Sequence, residues 1–306
     1  TIYLAADDYH FTENKIADAP WIRIGDKLNF SKIGLHVNIG GGIVQYPVKN
    51  EIGWSGNLSL NQRICAHFDA DLSVDRVPYL DTKSSIDTNI AATRVAAMLN
   101  WHMAGWSGQA ALMNSNYEPG NNVYGAYAWV MAPLVKFKAG KLLGGYSVSY
   151  SNSEESSYKP VLGVSQIVAN FASNPNIEGL YNPYFTPKDL FISSALLTFN
   201  INLSKSVNFS LSGDVGYGSI SNPYLYLSVV KPGDTVVNKG YSTETFVPVN
   251  ASAAFNFNLG KTWVLTAKYI YHNTYFFTSN YGSIGIQKSF QHRKKSGMMT
   301  ARPRHF

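Results

Sequence analysis

The stretch "SALLTFNINLSKSVNFSLSGDVGYG", Ser194–Gly218, decides the fold. Counting from Phe191, every second residue gives Phe191, Ser193, Ala195, Leu197, Phe199, Ile201 and Leu203, while the intervening set gives Ile192, Ser194, Leu196, Thr198, Asn200, Asn202 and Ser204. A two-residue turn at Lys205 and Ser206 follows, and the alternation resumes. Val207, Phe209, Leu211, Val215 and Tyr217 then share one face, and Asn208, Ser210, Ser212, Asp214, Gly216 and Gly218 the other. Successive strand side chains point to opposite faces, so this is a pair of amphipathic β-strands. Each is longer than the usual strand of a globular protein.

The same pattern runs through the chain. Strands are expected over Ile33–Tyr46, Gly53–Arg63, Ile64–Asp75, Asp87–Met103, Trp106–Tyr117, Val123–Lys138, Leu142–Ser153, Phe191–Leu203, Val207–Ile220, Phe246–Leu259, Trp263–Phe277 and Asn280–Phe290, with two more over Thr1–His10 and Trp21–Phe30. Asp87–Met103 also admits an amphipathic helix, because Ile90, Val95, Met98 and Trp101 lie near helical spacing. "IGGGIV", Ile39–Val44, lacks the dinucleotide fingerprint and reads as a flexible strand segment or bulge.

Composition bears on the solvent. The 306 residues are 45% hydrophobic, 14% aromatic and only 14% charged. No run of eighteen apolar residues is present, so a helical membrane protein is excluded. A closed barrel is the other structure that satisfies its backbone hydrogen bonds in lipid. Soluble sandwiches and solenoids also alternate. Against them stand the strand lengths and the connections. "LSKS" (203–206), "LGKT" (259–262) and "AGKL" (139–142) are tight, and they alternate with the long polar stretches Ser153–Asp189 and Ser221–Glu244. Short turns at one end and long loops at the other are the periplasmic and extracellular layout of an outer-membrane barrel. The fold class expected is therefore an all-β, antiparallel, up-and-down transmembrane β-barrel of about 14 to 16 strands, in the outer membrane of a Gram-negative-type envelope.

The net charge of +6 comes mostly from the C-terminal stretch, where Arg293, Lys294, Lys295, Arg302 and Arg304 occur without an acid. Residues 1–290 are read as the barrel and 291–306 as a solvated basic tail; no nucleic-acid partner is expected. The single Cys65 makes no disulfide or metal-ligand spacing. The start, "TIYLAADDYHF", has no secretory signal and no initiating Met, so the chain is expected to be processed or to continue a longer protein.

Lipid outside implies a hydrated face inside. Asn57, His67, Asp69, Asp71, Asn200, Asn202, Asp214, Asn256, Asn258 and Lys268 are the expected lumen-lining residues, with Tyr184, Phe185, Tyr224 and Tyr226 as stacking aromatics on the long loops. His67, Asp69 and Asp71 share a strand face in "AHFDAD", a spacing that suits a metal or acid–base pair but equally a hydrated wall. His36, His102 and His272 are isolated, and no serine sits in a nucleophile elbow. No catalytic residue, cofactor or metal site is expected, and the chain is read as a non-enzyme.

Two segments carry a resemblance. "GLYNPYFTPKDLFISSALLTFNINLSKSVNFSLSGDVGYG", Gly179–Gly218, resembles the tyrosine-rich G-Y-[FY]-S-P-Q loop and two long strands of the C-terminal barrel of cellulose synthase operon protein C and its relatives, the tetratricopeptide-bearing exopolysaccharide export porins. Tyr184, Phe185, Thr186 and Pro187 match the motif, and Lys188 replaces its Gln. "RVPYLDTKSSIDTNI", Arg76–Ile90, is similar to the family's R-x-P-V-x-[DE]-[ST] stretch. The resemblance implies a sixteen-stranded pore, a preceding periplasmic superhelix of helical repeats, an inner-membrane synthase and a glycan cargo such as cellulose or poly-N-acetylglucosamine. No such repeats occur in these residues. A conduit for an exopolysaccharide is the leading function; a diffusion porin is the first alternative, and a barrel enzyme or surface structural protein the second. The acidic lumen residues point to a neutral or partly cationic glycan.

Overall fold

The computed structural model describes residues 2–7, 20–46, 49–80, 83–118, 120–231, 234–260, 262–275 and 278–288. The basic tail and the expected end of the last strand at Phe290 lie outside the described residues.

The strands follow the alternation. In chain order they are β1 (Ile2–Asp7), β2 (Trp21–Phe30), β3 (Leu35–Tyr46), β4 (Glu51–Arg63) and β5 (Phe68–Pro78). A one-turn helix α1 (Lys83–Asp87) precedes β6 (Ala91–Met103), β7 (Trp106–Tyr117), β8 (Asn121–Phe137) and β9 (Gly140–Ser153). The next connection holds β10 (Tyr158–Pro160), α2 (Val164–Asn170) and β11 (Gly179–Tyr181). The chain finishes with β12 (Leu190–Asn202), β13 (Val207–Lys231), β14 (Asp234–Phe246), β15 (Val249–Leu259), β16 (Trp263–Asn273) and β17 (Thr278–Lys288). No described helix is long and apolar enough to cross a membrane.

Neighbouring strands of the large sheet pair antiparallel, and β10 and β11 pair with each other apart from it. β9 passes to β12, β13 pairs with both β12 and β15, and β1 pairs with both β2 and β17. The pairings therefore run round a ring of fourteen strands, in which every backbone has a hydrogen-bonded neighbour on both edges. β14 stands outside this ring: it pairs with the second half of β13, from Gly218 to Lys231, as a hairpin beyond the barrel wall.

That hairpin corrects one expectation. Ser221–Glu244 reads as a loop because it is polar and holds a turn signal at Lys231–Asp234, but Tyr224, Tyr226, Val229, Val236 and Val237 are strand formers on either side of that turn. Two smaller corrections follow. β5 starts at Phe68, because the amides of Ile64 and Cys65 both donate to the Phe68 carbonyl and make Ile64–His67 a turn. "IGGGIV" is regular strand, paired on both sides without a bulge. Gly42 answers a close approach there: a Cβ would stand 2.4 Å from the Ile22 carbonyl oxygen. Asp87–Met103 is strand from Ala91 onward, as the alternation indicates.

The connections sort by end. One end carries the tight turns between β2 and β3, β4 and β5, β6 and β7, β8 and β9, β12 and β13, and β15 and β16. Ala104 and Gly105 make a two-residue turn, both with positive φ (52° and 88°), the geometry whose twist matches a two-residue hairpin. The other end carries every long connection among the described residues, namely Tyr79–Ile90, the connection 154–189 and the β13–β14 hairpin, together with short ones between β3 and β4, β7 and β8, and β16 and β17. Ile2 pairs with Lys288 at the tight-turn end.

Candidate functional site: the lumen and its mouth

Register assigns the faces. Asn200 stands opposite Ser210, Ser210 opposite Ala254, Ala254 opposite Lys268, and Lys268 opposite Ser283, which is one continuous inner row, and Asn256 opposite Thr266 belongs to the next. The outer row holds Phe199, Phe209, Phe255 and Tyr269, with the Phe209 and Phe255 rings 4.7 Å apart. Large apolar side chains are exposed on this outer face around the ring, among them Ile24, Ile39, Leu58, Leu72, Leu112, Leu197 and Ile284. An apolar outer band is what hydrocarbon requires.

The inner wall has two differently built arcs. On β4–β8 a chain of polar side chains crosses five strands: Asn61 Nδ2 donates to Asp71 Oδ1 (2.7 Å), Asn100 Nδ2 donates to Asp71 Oδ2, and Gln109 Nε2 donates to Asn100 Oδ1 (2.6 Å). Tyr127 OH (2.7 Å) and Trp129 Nε1 (3.2 Å) both donate to Gln109 Oε1. These groups are largely buried beside a cluster of Trp129, Met131, Leu143 and Leu196. Across the ring, Asn250 donates to Asp214 (2.8 Å), His272 Nδ1 lies 2.7 Å from Asn250 Oδ1, and Thr266 donates to Asn256 (2.8 Å). Those residues are half-buried, so this arc is the more open one.

The sequence candidates fall as follows. Asn57, Asp69, Asp71, Asn200, Asp214, Asn256, Asn258 and Lys268 occupy inner-face positions. Asn202 takes the last, exposed position of β12, its amide donating to the Ala139 carbonyl. His67 is in the β4–β5 turn, not on the strand, so the three-residue "AHFDAD" face does not form. Asp69 is buried between Arg63 (3.6 Å) and His102 Nε2 (3.0 Å), and His67 Nδ1 lies 3.0 Å from the His102 carbonyl. Among the described residues no His, Cys, Asp and Glu cluster could hold a metal ion. Asn100, Gln109, Tyr127 and Trp129 were not among the candidates: Asn100 and Gln109 fall on the more polar alternating set of their strands, but the set of β8 that holds Tyr127 and Trp129 also holds Val123, Met131 and Pro133 and gives no such signal.

At the long-connection end two segments fold into the lumen. From Tyr79–Ile90, Leu80 and Ile86 pack on Trp21, Val44 and Tyr46 of the inner wall, and Ile86 is 0% exposed. From the 154–189 connection, Tyr184 enters a second cluster with Tyr79, Ile90, Ala92 and Tyr117. Its ring stacks on Tyr117 at 4.4 Å and 15°, edge-on to Tyr79 at 6.2 Å. Ser84 Oγ donates to Asn182 Oδ1 (2.6 Å), joining the two segments. Ser157 anchors the base of the second one, its amide donating to Thr186 Oγ1 (2.9 Å) and its hydroxyl to the Tyr184 carbonyl. Burial pushes the Tyr184 hydroxyl above the usual tyrosine range.

This overturns part of the aromatic expectation. Tyr184 is 3% exposed and packs into this cluster, leaving no free ring face for stacking. Phe185 lies edge-on to Tyr181 at 4.9 Å. Tyr224 and Tyr226 are 50% and 45% exposed on the β13–β14 hairpin, their rings 6.0 Å apart.

A fourteen-strand ring with an apolar outside, a polar inside, tight turns at one end and long segments at the other is a transmembrane β-barrel of the outer-membrane type, and it places the chain in the outer membrane. Among solved structures the chain is similar to a bacterial polysaccharide outer membrane secretin, with 9% identity and a TM-score of 0.60 over 95% of this chain and 98% of that one. It is also similar to the NanC porin (8% identity, TM-score 0.40, 94% of this chain and 100% of that one) and to the outer membrane channel DcaP of Acinetobacter baumannii (10%, 0.37, 95% and 96%). No protein-family model matches the sequence, and no curated protein matches it.

Proposed function

We propose that the protein is an outer-membrane channel that conducts an exopolysaccharide outward. The observation that carries this reading is the asymmetry of the pore: an inner wall bearing polar side chains runs from tight turns to a mouth where two segments fold inward onto the wall. Hydroxyl and amide side chains such as Ser210, Ser212, Asn200 and Asn256 offer many weak hydrogen bonds to a sliding sugar chain and no single tight pocket. The polysaccharide secretin that shares the fold is a precedent for such use. The partial resemblance to the cellulose synthase operon protein C family extends the reading: a periplasmic superhelix and an inner-membrane synthase would deliver the polymer to the tight-turn end. The acids are hydrogen-bonded into the wall and take no catalytic part.

Proteoliposomes test this. The full chain and a variant in which Ile86→Asp and Tyr184→Ala unseat the mouth segments are loaded with linear oligosaccharides of graded length. Opening the mouth should release long oligosaccharides that the parent retains. Release of small solutes with no long oligosaccharide passing would make it a diffusion porin, and no release from either would remove the channel reading.

A further inference from the structure

The tight-turn end is charged in a way the rest of the barrel is not. Lys32, Lys138 and Lys205 sit on turns there, and Arg63, Lys136 and Lys141 on the flanking strand ends. Among the described acids near that rim, Asp69 is buried and held by Arg63 and His102, and Asp26, paired with Ile2, lies on the outer face of β2. The long-segment end mixes both signs, with Glu51, Asp87, Glu154 and Asp189 beside Lys49, Lys159 and Lys188.

Two of these lysines face each other. Lys136 and Lys141 are directly paired across the β8–β9 hairpin. The register shift between Pro133 and Val135 puts Lys136 on the inner face, and Phe137 accordingly points outward onto Phe199 (5.8 Å). Lys141 is inner by its pairing with Asn200. Like charges directly opposite on one face destabilise a sheet, so a lumen-facing lysine pair at the entrance is a cost that an anionic ligand would offset. Lys136 leans over the β6–β7 turn, its Nζ 3.7 Å from the point where a side chain at Gly105 would start, which spreads the charge along the rim.

We propose that this lumen-facing pair, with the neighbouring turn lysines, is the entrance site for an acidic glycan, so that the cargo carries carboxylates or other anionic groups. The inference rests on the channel reading and reverses the cargo charge that the bare sequence implies: at the rim Asp69 is ion-paired with Arg63 and His102, while Asp71 and Asp214 stand farther along their strands, engaged by Asn61, Asn100 and Asn250. Lipid headgroups or a docked acidic protein would be met by outward or turn residues, whereas Lys136 and Lys141 look into the pore.

Calorimetric titration of the full chain in detergent micelles tests the proposal, with oligogalacturonate and maltodextrin of matched length. At low salt the galacturonate should bind on the order of tenfold more tightly, the low end of what a focused charge achieves, and salt should erase the difference. Lys136→Gln with Lys141→Gln should remove that advantage, leave maltodextrin unchanged and, without glycan, keep or raise the thermal midpoint. Lys49→Gln at the mouth should change nothing. Equal binding of maltodextrin and galacturonate overturns the proposal while leaving the channel reading intact, provided the opened variant still releases oligosaccharides from liposomes. Equal binding of poly-L-glutamate overturns it too, by assigning the rim to an acidic protein segment.

Discussion

The two ends of one barrel are built from opposite ingredients. At the tight-turn end the strands join through as little as Ala104–Gly105 and the rim is basic. At the other end the connections are long enough to return apolar and aromatic side chains to the inner wall, where Ile86 and Tyr184 are buried. The difference says where a barrier would be built. A ring of fourteen strands leaves room that wall side chains alone fill less completely than in an eight-stranded barrel, so closure depends on segments supplied at the mouth.

Breaking the comparison at its apolar hinge should have the largest effect. Ile86→Asp buries a charge among Trp21, Val44, Tyr46 and Leu80, which the site can relieve by expelling the segment. Single-channel conductance in planar bilayers should rise severalfold, whereas Leu203→Asp at a tight turn should leave it unchanged. A rise of the same size from Leu203→Asp would abolish the difference between the ends.

The wall itself gives the next contrast. Phe255→Asp puts a carboxylate on the lipid face at mid-strand and should destabilise the barrel by about 1–3 kcal/mol, somewhat less than a basic residue at the bilayer midplane. Asn256→Asp, one residue on and facing the lumen, should be nearly neutral. Urea unfolding in lipid vesicles reads both, and a reversed order would invert the assigned faces.

The dense arc is sharpened by Gln109→Leu. This removes the acceptor shared by the Tyr127 hydroxyl and the Trp129 indole and the donor to Asn100 Oδ1, and an unsatisfied buried group costs about 1–3 kcal/mol. The same unfolding assay should show that loss, and Thr266→Val on the open arc should show much less.

The smallest effect belongs to the exposed pair at the mouth. Glu118 accepts a 2.7 Å hydrogen bond from Arg76, and that bond holds its carboxyl below the usual range. A depressed carboxyl stabilises the fold above its unfolded-state pKa, and the gain disappears as pH falls through the folded value. Glu118→Gln should therefore flatten stability slightly between neutral and acid pH, screened as the pair is by solvent.

How much of this the sequence shows depends on the range of the interaction. Period-two alternation is local, so Trp21–Phe30 and Trp106–Tyr117 end in the structure where the pattern ends. The inner and outer faces of β12, β13, β15 and β16 follow from the same parity. The mouth is different in kind: Ser84 meets Asn182 and Tyr117 meets Tyr184 across long separations, with no repeating signal to announce either. Tyr184 looks like a stacking platform because an aromatic on a polar loop has the same sequence whether it faces water or fills a lumen. The β13–β14 hairpin hides for a related reason, since its alternation continues past the membrane into a stretch whose polarity resembles a loop. His67 left the lumen set because the turn hydrogen bonds to Phe68 are backbone bonds, which residue identity does not encode.

The central claim, a lumen open to water from the tight-turn end and sealed at the mouth, is tested most directly by sided thiol labelling in proteoliposomes of known orientation. In a Cys65→Ser background, Asn256→Cys should react quickly with a bulky, membrane-impermeant reagent from the tight-turn side. It should react from the mouth side only after Ile86→Asp and Tyr184→Ala unseat the closing segments, and Phe255→Cys should stay protected from both sides. Equal labelling of Asn256→Cys from the two sides of the otherwise unaltered barrel would contradict the account.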